Sequence, residues 1–290
     1  MDGRINYIYY KKQRIELYEY EDNIYMYNPQ NNFFIKTSSS NKNYIIDSLS
    51  NNILPRGLEG IVYKKYNKGN VFYYHFYRRT FFVGEKKTLF EILGYLLNMK
   101  ISFFLFLINL SLLPLISQSQ KNLLLELPTS LNRESILITG ILVISTLVIT
   151  IFHEMGHYIA YSKYFKSVSF SFGLAIRYFS FVVFFTNTPY INFLTKQKKI
   201  RVIIAGVQFQ IFASVILSIL LLMINNEVLL LIYLQNIGLI VINLLPFLKF
   251  DGFWLISNLL DCNDYMKAFY NIILGKGKKN IVIIIILNNS

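Results

Sequence analysis

The sequence predicts an α-helical integral membrane protein of about four transmembrane helices plus a re-entrant hairpin, preceded by a small N-terminal α+β cytoplasmic domain. Three observations lead there. Of 290 residues, 54% are hydrophobic and only 16% charged, unlike the balance of an ordinary soluble domain. Four apolar runs follow residue 100, at 103–116, 136–151, 202–224 and 228–248, on the scale of a bilayer-spanning helix. By contrast, more than half of the 29 Lys and Arg and of the 16 acids fall within residues 1–100, which hold no long apolar run.

In residues 1–88, Tyr, Ile and Phe alternate with polar residues, as in Tyr7-Ile8-Tyr9-Tyr10 and Ile24-Tyr25-Met26-Tyr27, and Asn28-Pro29-Gln30-Asn31-Asn32 interrupts them as a turn. A soluble domain of mixed strands and helices follows from that pattern. Residues 1–20 are charged throughout and lack the apolar core of a cleavable signal, so insertion rests on internal helices. The membrane core is read as 89–260. Residues 103–116, with 89–97 before them, make a first span that Pro114 bends or ends. Residues 117–135 are a polar loop. The run 136–151 is the second span and leads straight into His153-Glu154-Met155-Gly156-His157. Residues 167–190 are apolar but broken by Gly173, Arg177 and Thr186-Asn187-Thr188-Pro189. A re-entrant hairpin or sheet over a cavity suits them, since non-helical backbone at membrane depth needs protein or water around it. Lys196-Gln197-Lys198-Lys199-Ile200-Arg201 reads as a basic hinge, 202–224 as the third span, Asn225-Asn226-Glu227 as a turn and 228–248 as the fourth span. Residues 261–290 are a basic cytoplasmic or interfacial tail whose apolar stretch 281–287 is too short to cross a bilayer.

The formal charge of +13 raises nucleic acid as a partner, but the basic residues are scattered or flank apolar runs instead of interleaving with aromatics. Anionic lipid headgroups account for them better. Cys262 is the single cysteine, which excludes an internal disulfide and any Cys-based zinc site. Lys and Arg concentrate in 162–201 and 261–280 and are sparse in 117–135 and the 225–227 turn. By the positive-inside rule the N-terminal domain, the hinge and the tail face the cytoplasm. His153 then lies about 26 Å along the second span, at roughly 1.5 Å per residue, toward the cytoplasmic side. The end of the fourth span returns to that side.

His153 and His157 are four apart, so on a helix they project from one face within reach of one ion. Two imidazoles on a tetrahedral zinc leave room for a third protein ligand and a water. Glu154, beside the first ligand, is the residue type that takes a proton from water activated in this way. A five-residue pattern with two free positions often arises by chance. Here, however, three ionisable residues end an apolar membrane helix, where groups without partners cost several kcal/mol, on the order expected for intramembrane charges. For the third ligand, Asp251 stands out within Asn243-Leu244-Leu245-Pro246-Phe247-Leu248-Lys249-Phe250-Asp251-Gly252. Gly252 permits a tight turn just after Asp251, and Pro246 breaks or kinks the fourth span. An ordinary helix-end carboxylate paired with Lys249 explains Asp251 about as well on spacing alone. Asp261 and Asp264 are weaker rivals in a polar segment. His75, in an aromatic stretch of the N-terminal domain, reads as structural.

His153-Glu154-Met155-Gly156-His157 on a membrane helix, followed some 90 residues later by Asn243-x-x-Pro246-x-x-x-x-Asp251-Gly252, resembles the site-2 protease family of intramembrane zinc metalloproteases, over roughly residues 134–260. The resemblance implies one Zn2+ per chain held by His153, His157 and Asp251, Glu154 as catalytic acid/base, and Asn243 and Pro246 shaping the substrate-binding region. Gly206 and Gln208 to Gln210 lie where that family's intervening helix often has a glycine, and no role is assigned to them. No PDZ-like insertion separates the two motifs. A soluble domain ahead of the membrane core looks like the bacterial peptide-processing branch, and parts of residues 15–55, Tyr25 to Pro29 and Tyr44 to Leu49, resemble a small PqqD-like winged-helix domain that binds leader peptides.

The expectation is thus a zinc metalloendopeptidase of the bacterial cell membrane. Its substrate is a peptide or single-span membrane protein, and its role is maturation of a secreted ribosomal peptide. Membrane lipid, and a peptide exporter encoded nearby, are the partners this implies. The rival is a non-proteolytic membrane protein of the same fold serving peptide binding, immunity or export, against which an intact Glu154 argues. A transporter would show internal repeats, and none is evident.

Overall fold

The computed structural model describes residues 3–11, 13–20, 22–28, 33–63, 73–82, 94, 97–122, 135–166, 169–177, 181–186, 188–262 and 264–274. The apolar stretch 281–287, residues 89–93, most of the 117–135 loop and the 29–32 part of the first turn lie outside them. The chain divides into two compact units. One combines Met1–Gly94 with Tyr158–Ile191, the other Tyr95–His157 with Asn192–Ser290.

The first unit opens with strands β1 (Gly3–Tyr10), β2 (Gln13–Tyr20), β3 (Asn23–Asn28) and β4 (Phe33–Ser38), followed by helices α1 (Lys42–Ser50) and α2 (Glu59–Tyr63). It continues with β5 (Tyr73–Phe82), β6 (Phe165–Lys166), β7 (Ser169–Arg177) and β8 (Phe181–Thr186). β1 to β4 form an antiparallel meander, and β6 adds in parallel to β1, giving the order β4-β3-β2-β1-β6. The alternation seen in the sequence sets its faces. Ile15, Leu17, Ile24 and Met26 point one way, with Leu17 opposite Met26, and bury against Ile45, Leu49, Ile61 and Val62 of α1 and α2. Each such side chain contributes about 1.5–3 kcal/mol. On the opposite face Tyr18 and Tyr27 pack with Phe165 and Tyr190, so the sheet is covered on both sides.

A second sheet, ordered β5-β7-β8 and antiparallel, contains the hairpin expected within 167–190. Its third strand comes from residues 73–82 and carries His75 opposite Ala175 beside a register shift. The hairpin therefore belongs to the same compact unit as the N-terminal segment, whereas the sequence pattern suggests a boundary at residue 88.

The second unit holds α3 (Met99–Ser119), α4 (Ser135–Ser162), whose last turns run past the unit's limit at His157, α5 (Lys196–Met223), α6 (Glu227–Leu244), α7 (Asp251–Leu259) and α8 (Tyr265–Ile273). The first four are long and apolar enough to cross a membrane. α5 is the central one. Of its most apolar window 61% is buried, against 17% for each of the other three, and α3, α6 and α7 all pack on it. α4 meets α5 where Gly156 faces the backbone of Ala205 and Gly206 so closely that a Cβ would lie 2.5 Å from the Ala205 carbonyl oxygen. Side-chain amides tie the helices further. On α6, Gln235 bonds Ser145, Thr146 and the Leu142 carbonyl of α4, while its neighbour Asn236 donates to the Gln210 carbonyl and Ser214 Oγ of α5.

Three expectations change. α3 runs through Pro114 to Ser119: the proline forfeits one backbone bond, whereas ending the helix in an apolar segment would strand several. Residues 196–201 are the first turns of α5 and not a hinge. Lys196 reaches out from there to Asp261 Oδ2 (2.7 Å) and the Leu259 carbonyl (2.8 Å). The fourth span stops at Leu244, one residue before Leu245-Pro246. Asp251 consequently opens the next helix instead of lying near the end of the fourth span.

Candidate metal centre

Three side chains from two sequence motifs converge inside the second unit. α4 supplies His153 and His157 one turn apart on one face, and the first residue of α7 supplies Asp251. His153 Nε2 and His157 Nε2 are 3.1 Å apart, and Asp251 Oδ2 lies 3.2 Å from the first and 3.3 Å from the second. This near-equilateral triangle is the one group of metal-ligating side chains found among the described residues. Tetrahedral coordination at about 2.0–2.1 Å places ligand atoms about 3.3–3.4 Å apart, so the three fit one ion.

Hydrogen bonding behind the triangle fixes what its inner atoms offer. His157 Nδ1 faces the Val202 carbonyl oxygen at 2.8 Å, and His153 Nδ1 faces Gln210 Oε1 at 3.0 Å. Each Nδ1 thus carries the proton and donates outward, which leaves a lone pair on each Nε2. Protonating one Nε2 would pair it with Asp251 Oδ2, 3.2–3.3 Å away, and protonating both would set two imidazoliums 3.1 Å apart. With neutral rings, three acceptors face one another and Asp251 Oδ2 is buried with no hydrogen-bond partner. A buried carboxylate oxygen in that position is costly, and a cation among the three atoms removes the cost.

Gly206 completes the cradle. A Cβ there would fall 2.5 Å from His153 Cε1 and Nε2 and 2.6 Å from His157 Nε2, so only glycine leaves the inner edges of both rings clear. Gly252 also serves close approach, not a turn: a Cβ on it would meet the Leu244 backbone, and its absence lets α7 start against the end of α6.

The other predicted residues are placed as follows. Glu154 is buried on the same turn of α4 as His153. Asn243 Nδ2 lies 3.1 Å from Gln210 Oε1 and 3.4 Å from His153 Nδ1, one side chain removed from the triangle. Pro246 sits in the turn between α6 and α7, where its carbonyl accepts from Tyr265 Oη. Of the rival carboxylates, Asp261 takes Lys196, and Asp264 takes Lys249 at 2.7 Å. Burial alone would raise the Asp264 carboxyl, but the Lys249 ammonium and the Lys267 backbone N–H hold it below the ordinary carboxylate range. Lys249 reaches Asp264, where the plainer sequence reading paired it with Asp251. Sequence reasoning assigned nothing to Gln210. The available signal was a polar series at four-residue spacing on an apolar helix: Gly206, Gln210, Ser214 and Ser218, all buried. Compared with protein-family models, curated proteins and solved structures, the chain matches none of them.

Proposed function

We propose that the protein is an intramembrane zinc endopeptidase, a reading supported above all by the 3.1–3.3 Å triangle of His153, His157 and Asp251 with Glu154 buried beside its first ligand. Two imidazoles and a carboxylate, with no cysteine at the site, are a donor set typical of catalytic zinc. When bound, zinc would act as a Lewis acid, lowering the pKa of a water to about 7 and polarising a peptide carbonyl. The chain's own part falls to Glu154, which takes the proton released as water adds to the carbonyl carbon. It returns that proton to the departing amine as the C–N bond breaks, so that one water and one peptide bond give an acid and an amine.

The substrate class is a peptide or a single-span membrane protein, and maturation of a secreted ribosomal peptide in a bacterial membrane is the role we favour. An exporter for the product is the partner that role implies. Helical substrate must unwind before water can reach a carbonyl. In the first unit, β8 stands at the edge of its sheet with Phe181 to Phe185 uncharged throughout, an edge suited to receive an extended segment. The charge distribution favours a cytoplasmic start for α5.

The test is the purified full chain with Glu154→Gln. It should keep one zinc per chain while cleavage of a peptide substrate falls by two or more orders of magnitude, about what general acid–base catalysis contributes. Equal cleavage by the variant would reject the mechanism, and zinc retained by a wild type with no cleavage of any peptide would favour a binding role.

A further inference from the structure

The two histidines are held from behind in different ways. His157 Nδ1 donates to a backbone carbonyl, that of Val202, which no substitution removes. His153 Nδ1 faces a side chain, Gln210 Oε1, at 3.0 Å. Gln210 comes from α5, one turn after Gly206 and on the same face, and is only 1% exposed.

Both ends of Gln210 are fixed. Its backbone carbonyl accepts from Asn236 Nδ2 and from Ser214 Oγ, each at 3.1 Å. Its side-chain oxygen lies 3.1 Å from Asn243 Nδ2 as well as 3.0 Å from His153 Nδ1. With the Asn243 nitrogen turned toward it, Gln210 presents its oxygen, not its NH2, to the pair. An oxygen so oriented can only accept from His153, and at 3.0 Å it is the nearer partner of Nδ1, the Asn243 nitrogen standing at 3.4 Å. The proton of the neutral ring is thereby kept on Nδ1 and the lone pair on Nε2, pointing into the triangle. With an apolar side chain in place of Gln210, Nδ1 would lose its buried acceptor, and the other tautomer, useless for coordination, would no longer be disfavoured.

We infer that Gln210 is a positioning residue for the metal centre: it selects the coordinating tautomer of His153, with Asn243 orienting its amide. This rests on the zinc reading above, and it gives Asn243 a task in the metal's support rather than at the substrate.

The experiment measures zinc affinity of the detergent-purified full chain by competition with a chromogenic chelator, for wild type, Gln210→Met, Gln210→Glu and Asn243→Ala. Loss of an outer-shell partner weakens metal binding about 10–100-fold, and Gln210→Met, which keeps the volume but not the acceptor, should show that loss. Gln210→Glu retains an acceptor oxygen and should bind at least as tightly as wild type. Asn243→Ala should fall between them. Wild-type affinity in Gln210→Met, or equal weakening in the Met and Glu variants, would overturn the inference, because the first denies any role and the second reduces it to packing. If Gln210→Met does not extract as folded protein, unchanged affinity in Asn243→Ala overturns it likewise. A wild type that binds no zinc is a different failure: it removes the metal reading itself, and this inference with it.

Discussion

At the scale of single residues the centre is built as much by what is absent as by what is present. Gly206 is in mid-helix, where replacing glycine by alanine ordinarily favours the helix by about 1 kcal/mol. Here the added Cβ would press on both imidazoles, which cannot retreat without giving up Val202 and Gln210 as acceptors. Gly206→Ala should therefore drop zinc content from one per chain to a small fraction, and the clash, about 1–3 kcal/mol for an overpacked site, should outweigh the helix gain and lower the melting temperature. Asp251→Ala should empty the site by another route, removing a ligand. Metal analysis beside a melting curve checks both, and a fully loaded Gly206→Ala would show that the rings are not confined as described. Of the candidate ligands, the two histidines were legible from their helical spacing, whereas a helix-end carboxylate paired with Lys249 explained Asp251 equally well and only the resemblance of the paired motifs singled it out. Gln210 and Gly206 were not legible, because their meaning depends on which turn of α5 faces α4, and spacing along one chain does not carry the contact between two helices.

Among the elements, α6 acts as the fastener of the bundle. In a bilayer, lipid would supply little hydrophobic drive between helices, leaving packing and interhelical hydrogen bonds to hold them. Consecutive residues of α6 serve two neighbours: Gln235 engages Ser145 Oγ at 2.7 Å together with Thr146 and the Leu142 carbonyl on α4, and Asn236 engages α5. Gln235→Leu should cost about 0.6 kcal/mol, the average for such bonds, and at most about 1.7, seen as a lower melting temperature. Zinc content should stay near one per chain, because Gly156 against Ala205 still seats α4 on α5. A variant that melts like wild type would mean that the amide bonds are matched in the unfolded state by other partners. The same physics explains which element boundaries are legible along the chain. Pro246 is a visible stop, and α6 ends beside it. Pro114 looks like one and is not, since apolar sequence on both sides makes leaving the helix costlier than one missing bond. Residues 196–201 look like a linker because they are basic, yet Lys196 finds Asp261 and the Leu259 carbonyl, and the helix begins six residues earlier than hydropathy alone suggests.

For the molecule as a whole, the apolar runs and the alternating N-terminal strands sufficed for the two kinds of structure present, a helical unit with four membrane-length helices and a sheet-rich unit. What they could not convey is that the 169–186 hairpin pairs with residues 73–82, because strand pairing across some 90 residues leaves no local trace. The helical unit makes a further, global commitment. α5 and α6 are joined by the short turn at 225–226 and have no charge within their most apolar stretches, so the turn and the start of α5 must lie on opposite faces of a bilayer if both helices cross it. By the positive-inside rule, the basic residues Lys196, Lys198, Lys199 and Arg201 are expected inside and the uncharged Asn225-Asn226 outside. The single cysteine makes this direct to measure. In a Cys262→Ser background, single cysteines at Asn225 and at Lys198 should react oppositely with a membrane-impermeant maleimide applied to intact cells: Asn225→Cys labels at once, and Lys198→Cys only after the cells are opened. Labelling of both from outside, or of neither, would mean that α5 and α6 do not cross the membrane as a pair. The depth assigned to His153 along α4 would then lose its basis, and with it the idea that peptide hydrolysis takes place within the bilayer.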